Sequence, residues 1–401
     1  MSTLDLTAWF WRVDQLLWQT QAYWRFQPMQ AVTPPWQHAT LWAHLAQLEL
    51  SDCITIDQDQ RLQQQHFQHF FPEIWQLPAV DTIEIDRKTA PFWLGQGIAG
   101  RKWQQIELFG SAVAQSELPV LEWCAGKGYL GRWLAYQQGC QVHSIEWQQS
   151  LCQDGERAAQ QWQLPHTFTQ RDVLKDDCRD LFRPRQQVLA LHACGDLHRS
   201  ALVLATQAGC QQLHLLPCCY HLQQQTLYQP LSTVTANSRL QLNKAELKLA
   251  VQGHATGGQR IQRLSHLEML WRRAYQLWRT ALTDDDQYHP LPSVPKQWFS
   301  GDFLDFALWA ATQHGVTLPS DNDGSTYLLK AEQALLQQRR LELVQHLFRR
   351  PLELWLVLDR AIFLQEQGYQ VQLRQLCDTQ ITPRNLLISA WRQVDSNSDA
   401  T

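Results

Sequence analysis

Between Leu118 and Cys219 the apolar positions follow two alternating rhythms. Short apolar runs predict strands at 120–125, 141–146, 166–171, 187–193 and 211–217, while three-and-four spacing predicts helices near 128–138, 148–162 and 197–208, with a shorter one after Asp176. Strands and helices that alternate through short links make a parallel sheet covered by helices on both faces. Upstream, Leu6, Trp9, Phe10, Val13, Leu16 and Leu17 keep helical spacing, and residues 1–75 read as helical with breaks at Pro34-Pro35 and Pro72. Downstream, 240–346 is helical again, interrupted at Asp284-Asp285-Asp286, at Pro290, Pro292 and Pro295, and at Pro319–Ser325.

The end of the chain completes the plan. Leu352–Gln367 reads as a helix closed by Gly368, followed by strand-like runs Gln370–Leu376 and Asn385–Ala390 around a turn with Pro383. An antiparallel pair there would bring the sheet to seven strands. The expected architecture is α/β, Rossmann-like and seven-stranded, with an N-terminal helical region (1–75), a core (76–221), a large helical insertion (222–346) and a closing helix and strand pair (347–401).

Composition narrows the class. With 44% hydrophobic and 18% charged residues, the chain is globular rather than disordered. No apolar run reaches the ~20 residues of a membrane span, and Met1-Ser2-Thr3-Leu4-Asp5 shows no basic-then-apolar leader, so the expected location is cytoplasmic with no membrane partner. Ten cysteines in that setting are expected to be reduced thiols. The net charge of -4 excludes a general affinity for polyanions, yet Arg239, Lys244, Lys248, Arg260, Arg263, Arg272, Arg273 and Arg279 face only Glu246 and Glu268 over Arg239–Arg279. That segment is a candidate contact for RNA phosphates, with a solvated helix face as the equally weighted alternative. Most of the 19 tryptophans sit among leucines at helical spacing and are expected in cores.

The chemistry concentrates in Val120-Leu121-Glu122-Trp123-Cys124-Ala125-Gly126-Lys127-Gly128-Tyr129-Leu130-Gly131, where an apolar strand, a G-x-G-x-x-G turn and an amphipathic helix follow one another. Such a turn lets backbone approach a nucleotide and lets a helix pack closely on its strand. Acids recur at the ends of successive strands: Glu122, Glu146 about 20 residues past the turn, and Asp172. A carboxylate at 146 can accept from ribose hydroxyls, while Asp172 and the backbone of Val173 can meet an adenine edge. Nicotinamide enzymes share the spacing, but a carboxylate at 122 would repel a pyrophosphate, whereas a sulfonium and an ammonium attract it. S-adenosylmethionine is therefore the expected ligand, held by Glu122, Cys124, Gly126, Gly128, Leu130, Glu146, Asp172, Val173 and His192. A nicotinamide oxidoreductase and a non-catalytic cofactor-binding scaffold are the alternatives.

Glu122 through Gly131, Leu191-His192-Ala193-Cys194-Gly195-Asp196-Leu197 and Pro217-Cys218-Cys219-Tyr220-His221 together resemble a class I methyltransferase family. That family includes the methyltransferase-like twenty-five and ribosomal RNA adenine dimethylase domain-containing proteins and, more distantly, a tRNA 2′-O-methyltransferase. Arg101-Lys102 to Glu107, Pro351-Leu352-Glu353, Leu358-Asp359-Arg360, Gln365-Glu366-Gln367 and Thr382-Pro383-Arg384-Asn385-Leu386 extend the resemblance. It implies a seven-stranded fold, S-adenosylmethionine as donor and S-adenosylhomocysteine as product, and leaves the acceptor open. RNA, or a protein of the translation machinery, is the expected acceptor.

Cys194, Pro217, Cys218, Cys219 and Tyr220 follow strands four and five and are the expected acceptor pocket. The His-Ala-Cys-Gly-Asp-Leu loop lacks the Asn/Asp-Pro-Pro-Tyr of enzymes that methylate exocyclic amines. For a hydroxyl acceptor, Asp196 or His221 is the candidate base, with a helix cap and a structural histidine as their bland readings. Cysteines 124, 194, 218 and 219, with His192 and His221, suggest zinc. Yet neighbouring cysteines seldom bind one ion and no C-x-x-C is present, so no metal is expected.

Overall fold

Alternating apolar runs do build one sheet. In the computed structural model, which describes residues 5–29, 31, 33–113, 116–252, 259–320, 323–379 and 381–392, seven strands form a single sheet. They are β1 (Val120–Trp123), β2 (Val142–Glu146), β3 (His166–Gln170), β4 (Gln187–Cys194), β5 (Gln212–Cys218), β6 (Gln370–Gln375) and β7 (Leu386–Trp391). Their order is β3-β2-β1-β4-β5-β7-β6, the first five parallel and β7 antiparallel to both its neighbours. The antiparallel strand between β5 and β6 separates this sheet from the all-parallel 3-2-1-4-5-6 dinucleotide fold and removes the basis for the nicotinamide alternative. Residues 1–4, on which the absence of a leader was judged, lie outside the described residues, as do 253–258 within the basic and helical stretch. No described helix is long and apolar enough to cross a membrane.

Two compact units divide the chain. One comprises 1–19, 76–252 and 349–401; the other comprises 20–75 and 253–348. The sequence pattern put boundaries at 75, 221 and 346; contacts instead group Leu6–Gln19 and the stretch 222–252 with the sheet. The helix Leu6–Gln19 lies on Arg349–Glu366, where Phe10 meets Trp355 at 5.5 Å and Trp355 Nε1 donates to Asp14 Oδ1 at 2.8 Å. Leu352 through Ile362 of Arg349–Glu366 are all buried, Glu353, Asp359 and Arg360 included. On the sheet, the helices Gly100–Val113 and Tyr129–Gln138 share a core of Ile106, Phe109, Leu130, Trp133 and Leu134 with Val120 and Leu189. Gly110 allows that approach, because a Cβ there would sit 2.4 Å from Trp133.

The second unit is helical. Gln259–Thr283, Phe303–His314 and Ser325–His346 enclose Trp271, Trp278, Phe303 and Phe306, and Trp278 stacks on Tyr327 at 5.4 Å. Arg340 donates to the carbonyls of Ala46 and Leu48, satisfying groups at the end of the helix Ala39–Ala46.

Candidate active site

The carboxyl ends of β1, β2, β4 and β5 bring most of the predicted residues to one end of the sheet, beside the switch point between β1 and β4. The glycine turn is the first component. Gly126 has φ 60°, and a Cβ there would meet nothing within 4 Å, so this glycine faces open space. Gly128 and Gly131 face inward instead: a Cβ on Gly128 would lie 2.5 Å from Phe168, and on Gly131 2.5 Å from Glu122. One glycine leaves room for a ligand and two let the helix Tyr129–Gln138 settle onto the sheet. Leu130, expected against the cofactor, is buried in that helix–sheet core.

Glu122 also differs from its expected place. Period-two alternation puts it on the face of Ser144, its register partner on β2. Its carboxylate accepts from Ser144 Oγ under the turn, Ser144 Oγ lies 2.7 Å from His166 Nε2, and all three side chains are buried. Within the protein its contacts are with the floor of the turn. Burial pushes the Glu122 carboxyl up to about 7 and the His166 imidazole down to about 3.

These shifts have opposite consequences for stability. Glu122 titrates higher folded than unfolded, so its contribution favours the folded state at low pH and fades as pH rises from about 4.5 to about 7. His166 titrates lower folded than unfolded, so its contribution is lost as pH falls through 6.5 toward about 3. In the overlap the slopes cancel. Glu122→Gln should therefore raise unfolding free energy at pH 8 by up to about 3 kcal/mol and expose a steeper loss on acidification. Denaturant titrations at pH 8 and pH 5 check this. An unchanged or lower midpoint at pH 8 would contradict it.

Glu146 ends β2 with its carboxylate under the turn. Oε2 accepts from the amide of Gly126 and Oε1 from that of Gln148, both at 3.0 Å. A carboxylate has about four acceptor positions, so two remain for vicinal hydroxyls. Trp147, next in sequence and unremarked in the sequence pattern, is 62% exposed beside it and offers a flat apolar face to a purine. Its signal was available: a tryptophan immediately after a strand-end acid. Asp172 is more occupied than expected. Oδ1 accepts from Leu174 N at 3.2 Å and Oδ2 pairs with Lys175 at 3.0 Å, which holds its carboxyl below the usual range. Val173 is buried beside it.

The second half of the site is a pair of linked loops after β4 and β5. The amide of Gly195 donates to Cys218 O at 3.1 Å, that of Asp196 to Leu222 O at 3.0 Å, and Asp196 Oδ2 accepts from Gln224 N at 2.7 Å. Asp196, which starts the helix Asp196–Gln207 and also pairs with Arg199, is thereby a tie between loops. His221 differs: its Nδ1 is buried without a hydrogen-bond partner, as is Nε2 of His192. Burial first, then the charges of Lys102 and Arg384, push His192 down to about 4. Pro217 and Cys218 are buried in β5, and Cys194 Sγ lies 3.4 Å from Cys218 Sγ. Tyr220 is buried with its ring 4.9 Å from the Arg360 guanidinium, which also donates to His198 Nε2 and Tyr228 Oη. The helix Arg349–Glu366 thus braces the loop after β5.

Backbone strain marks the same place. Cys124, His192 and Cys219 have φ of 57°, 65° and 47° at the ends of β1, β4 and β5. Left-handed non-glycine residues cost on the order of 1–3 kcal/mol each and persist where the surroundings over-determine them. A cavity of about 750 Å³ elsewhere along β1–β3, lined by His143, Thr169, Arg171 and Arg183, contains none of the predicted site residues.

The basic segment is divided between the two units. Arg239, Lys244 and Lys248 belong to the sheet-bearing unit, and the other five belong to the helical one. Arg239 lies over Trp18 at 5.8 Å, Arg272 pairs with Glu268 and caps the Leu291 and Pro292 carbonyls, and Arg279 is buried against Asp285. Much of this charge is spent inside the fold.

Residues 101–226 match the family described as a methyltransferase domain. No curated protein matches the chain. Among solved structures, a TehB-like SAM-dependent methyltransferase from Corynebacterium glutamicum is 15% identical, over 30% of this chain and 63% of that one, at a TM-score of 0.23. TehB from Haemophilus influenzae is 12% identical over 27% and 39%, at 0.22. A glycopeptide N-methyltransferase complexed with S-adenosylmethionine is 17% identical over 28% and 53%, at 0.23. In each case this chain spans less than two thirds of the other's length. Residues 101–226 are an S-adenosylmethionine-dependent methyltransferase domain.

Proposed function

With S-adenosylmethionine as donor, we propose that this protein methylates RNA at the mouth between the loops 192–197 and 217–222. The supporting observation is a pair of cations near these loops: the charges of Lys102 and Arg384 both act on His192, and Arg384 acts on Cys219 as well. An anionic acceptor is favoured over a neutral peptide. The residues that hold the donor are Gly126 with its open approach, Glu146 for the ribose, Trp147 for the purine face, and Asp172 with Val173 for its edge. Cys124 and His192 flank the methionine end. Methyl transfer is an in-line displacement, so these residues contribute mainly by placing the acceptor oxygen or nitrogen behind the methyl. His221, with an unpartnered ring nitrogen, is the residue placed to take a proton from a hydroxyl; Asp196 is a positioning residue. Cys194, Pro217, Cys218, Cys219 and Tyr220 line the acceptor side.

The narrower kinship with the methyltransferase-like twenty-five and adenine dimethylase domain-containing proteins rests on the same loops, and a protein of the translation machinery is the second acceptor it favours. Purified protein incubated with methyl-labelled donor and lysate from cells lacking this gene tests both. Label is expected in a fraction destroyed by ribonuclease and resistant to protease, and Lys102→Glu with Arg384→Glu should reduce it at least tenfold while donor affinity stays within a few-fold. Label confined to protein would overturn the RNA reading. Label in neither fraction would favour a non-catalytic scaffold.

A further inference from the structure

Extended backbone sends neighbouring side chains to opposite faces, which is why adjacent cysteines make an unpromising ligand pair. Cys219 breaks that alternation. Its φ of 47° ends β5 in a left-handed turn, and the Sγ atoms of Cys194, Cys218 and Cys219 all lie within 4.8 Å of one another. Cys194 and Cys218 are register partners on β4 and β5, brought level by the irregularity between Leu191 and Cys194, with their sulfurs 3.4 Å apart. Three thiolates around a tetrahedral zinc, each at ~2.3 Å, stand about 3.8 Å from one another. The Cys194–Cys218 spacing lies a little below that value and no spacing in the cluster exceeds 4.8 Å.

We propose that Cys194, Cys218 and Cys219 bind a zinc ion through three thiolates, leaving one coordination position open toward the acceptor mouth. The donor set is all sulfur, which selects a soft or borderline ion and rejects magnesium and calcium. Among the described residues no fourth histidine, cysteine or carboxylate joins the cluster, the pattern of a site that keeps a position for water or substrate. His192 and His221, two residues before Cys194 and two after Cys219, each carry a buried ring nitrogen without a hydrogen-bond partner. Binding exchanges thiol protons for metal: each Zn–S bond forms as one thiol gives its proton to solvent. The resulting site has net charge −1, and Arg384 supplies compensating charge beside Cys194 and Cys219. The proposal does not depend on which acceptor is methylated.

The test is metal content and affinity of the full-length reduced protein, purified without added metal and titrated with zinc against a chromophoric chelator. One zinc per chain is expected, and cobalt(II) substitution should give thiolate charge-transfer bands with the strong visible absorption of a tetrahedral site. Cys194→Ser and Cys219→Ser should each weaken binding by more than about tenfold, whereas Cys124→Ser should not change it; circular dichroism of each variant establishes that it is folded. Absence of stoichiometric zinc in the reduced, folded wild-type protein would overturn the proposal. So would binding that survives both serine variants, or zinc-free protein isolated with a Cys194–Cys218 disulfide that still fails to take up zinc after reduction. None of these readouts requires methyl transfer, so failure here and failure of the methyltransferase reading are separable.

Discussion

Replacing Glu146 with alanine should raise the dissociation constant for S-adenosylmethionine about 100-fold. The carboxylate already fixes the turn through the amides of Gly126 and Gln148, and its free acceptor positions are those a ribose would use. Hydrogen bonds to a charged acceptor contribute about 1.5 kcal/mol or more each, so two lost to the donor amount to roughly 3 kcal/mol, or about two orders of magnitude in affinity. Glu146→Gln, which keeps one acceptor oxygen, should fall between. Calorimetry with the donor reads the effect directly, and S-adenosylhomocysteine should lose affinity in parallel because it carries the same ribose. An unchanged affinity in the alanine variant would mean that the donor does not lie across the end of β2.

Gly195→Ala should remove methyl transfer and leave donor binding nearly intact. Gly195 has φ 57° and ψ −122°, a conformation open essentially to glycine alone, and a Cβ on it would lie 1.7 Å from the carbonyl oxygen of Leu222. The two acceptor loops would be forced apart while Gly126, Glu146 and Trp147 stay in place. A displacement of about 1 Å in a reacting geometry costs about 100-fold in rate. The expected signature is therefore a fall of at least that size in turnover with donor affinity changed only a few-fold. A fully active Gly195→Ala variant would show that the loops do not have to be joined for the reaction.

Several of these features could be read from residues in order. The sequence pattern located β1 to β5 within two residues, most plainly β1, β4 and β5, whose buried stretches have little but apolar residues to be made of. The turn at Pro383 located the final pair. The face of β1 that Glu122 occupies follows from parity. Leu121 and Trp123 occupy one face of β1, so Glu122 must occupy the other, beneath the helix that Gly131 admits. Leu130 lies on the buried stripe of its helix, which three-and-four spacing marks in the sequence. The affiliation of Leu6–Gln19 was not legible at all: its amphipathic face records that it packs on something, but not that the partner is Arg349–Glu366, more than three hundred residues away. The mutual approach of the Cys194, Cys218 and Cys219 sulfurs was not legible, because it depends on the φ of one residue, Cys219.

The antiparallel strand β7 lies between β5 and β6. During synthesis β1 to β5 leave the ribosome long before Leu386–Trp391, so β5 must wait with an unpaired edge while more than 160 further residues are made. An exposed edge is a template for pairing with other chains. The sheet-bearing unit thus carries an open edge from the completion of β5 until Leu386–Trp391 is made. Stalled or prematurely terminated products should be the species that chaperones hold and proteases clear.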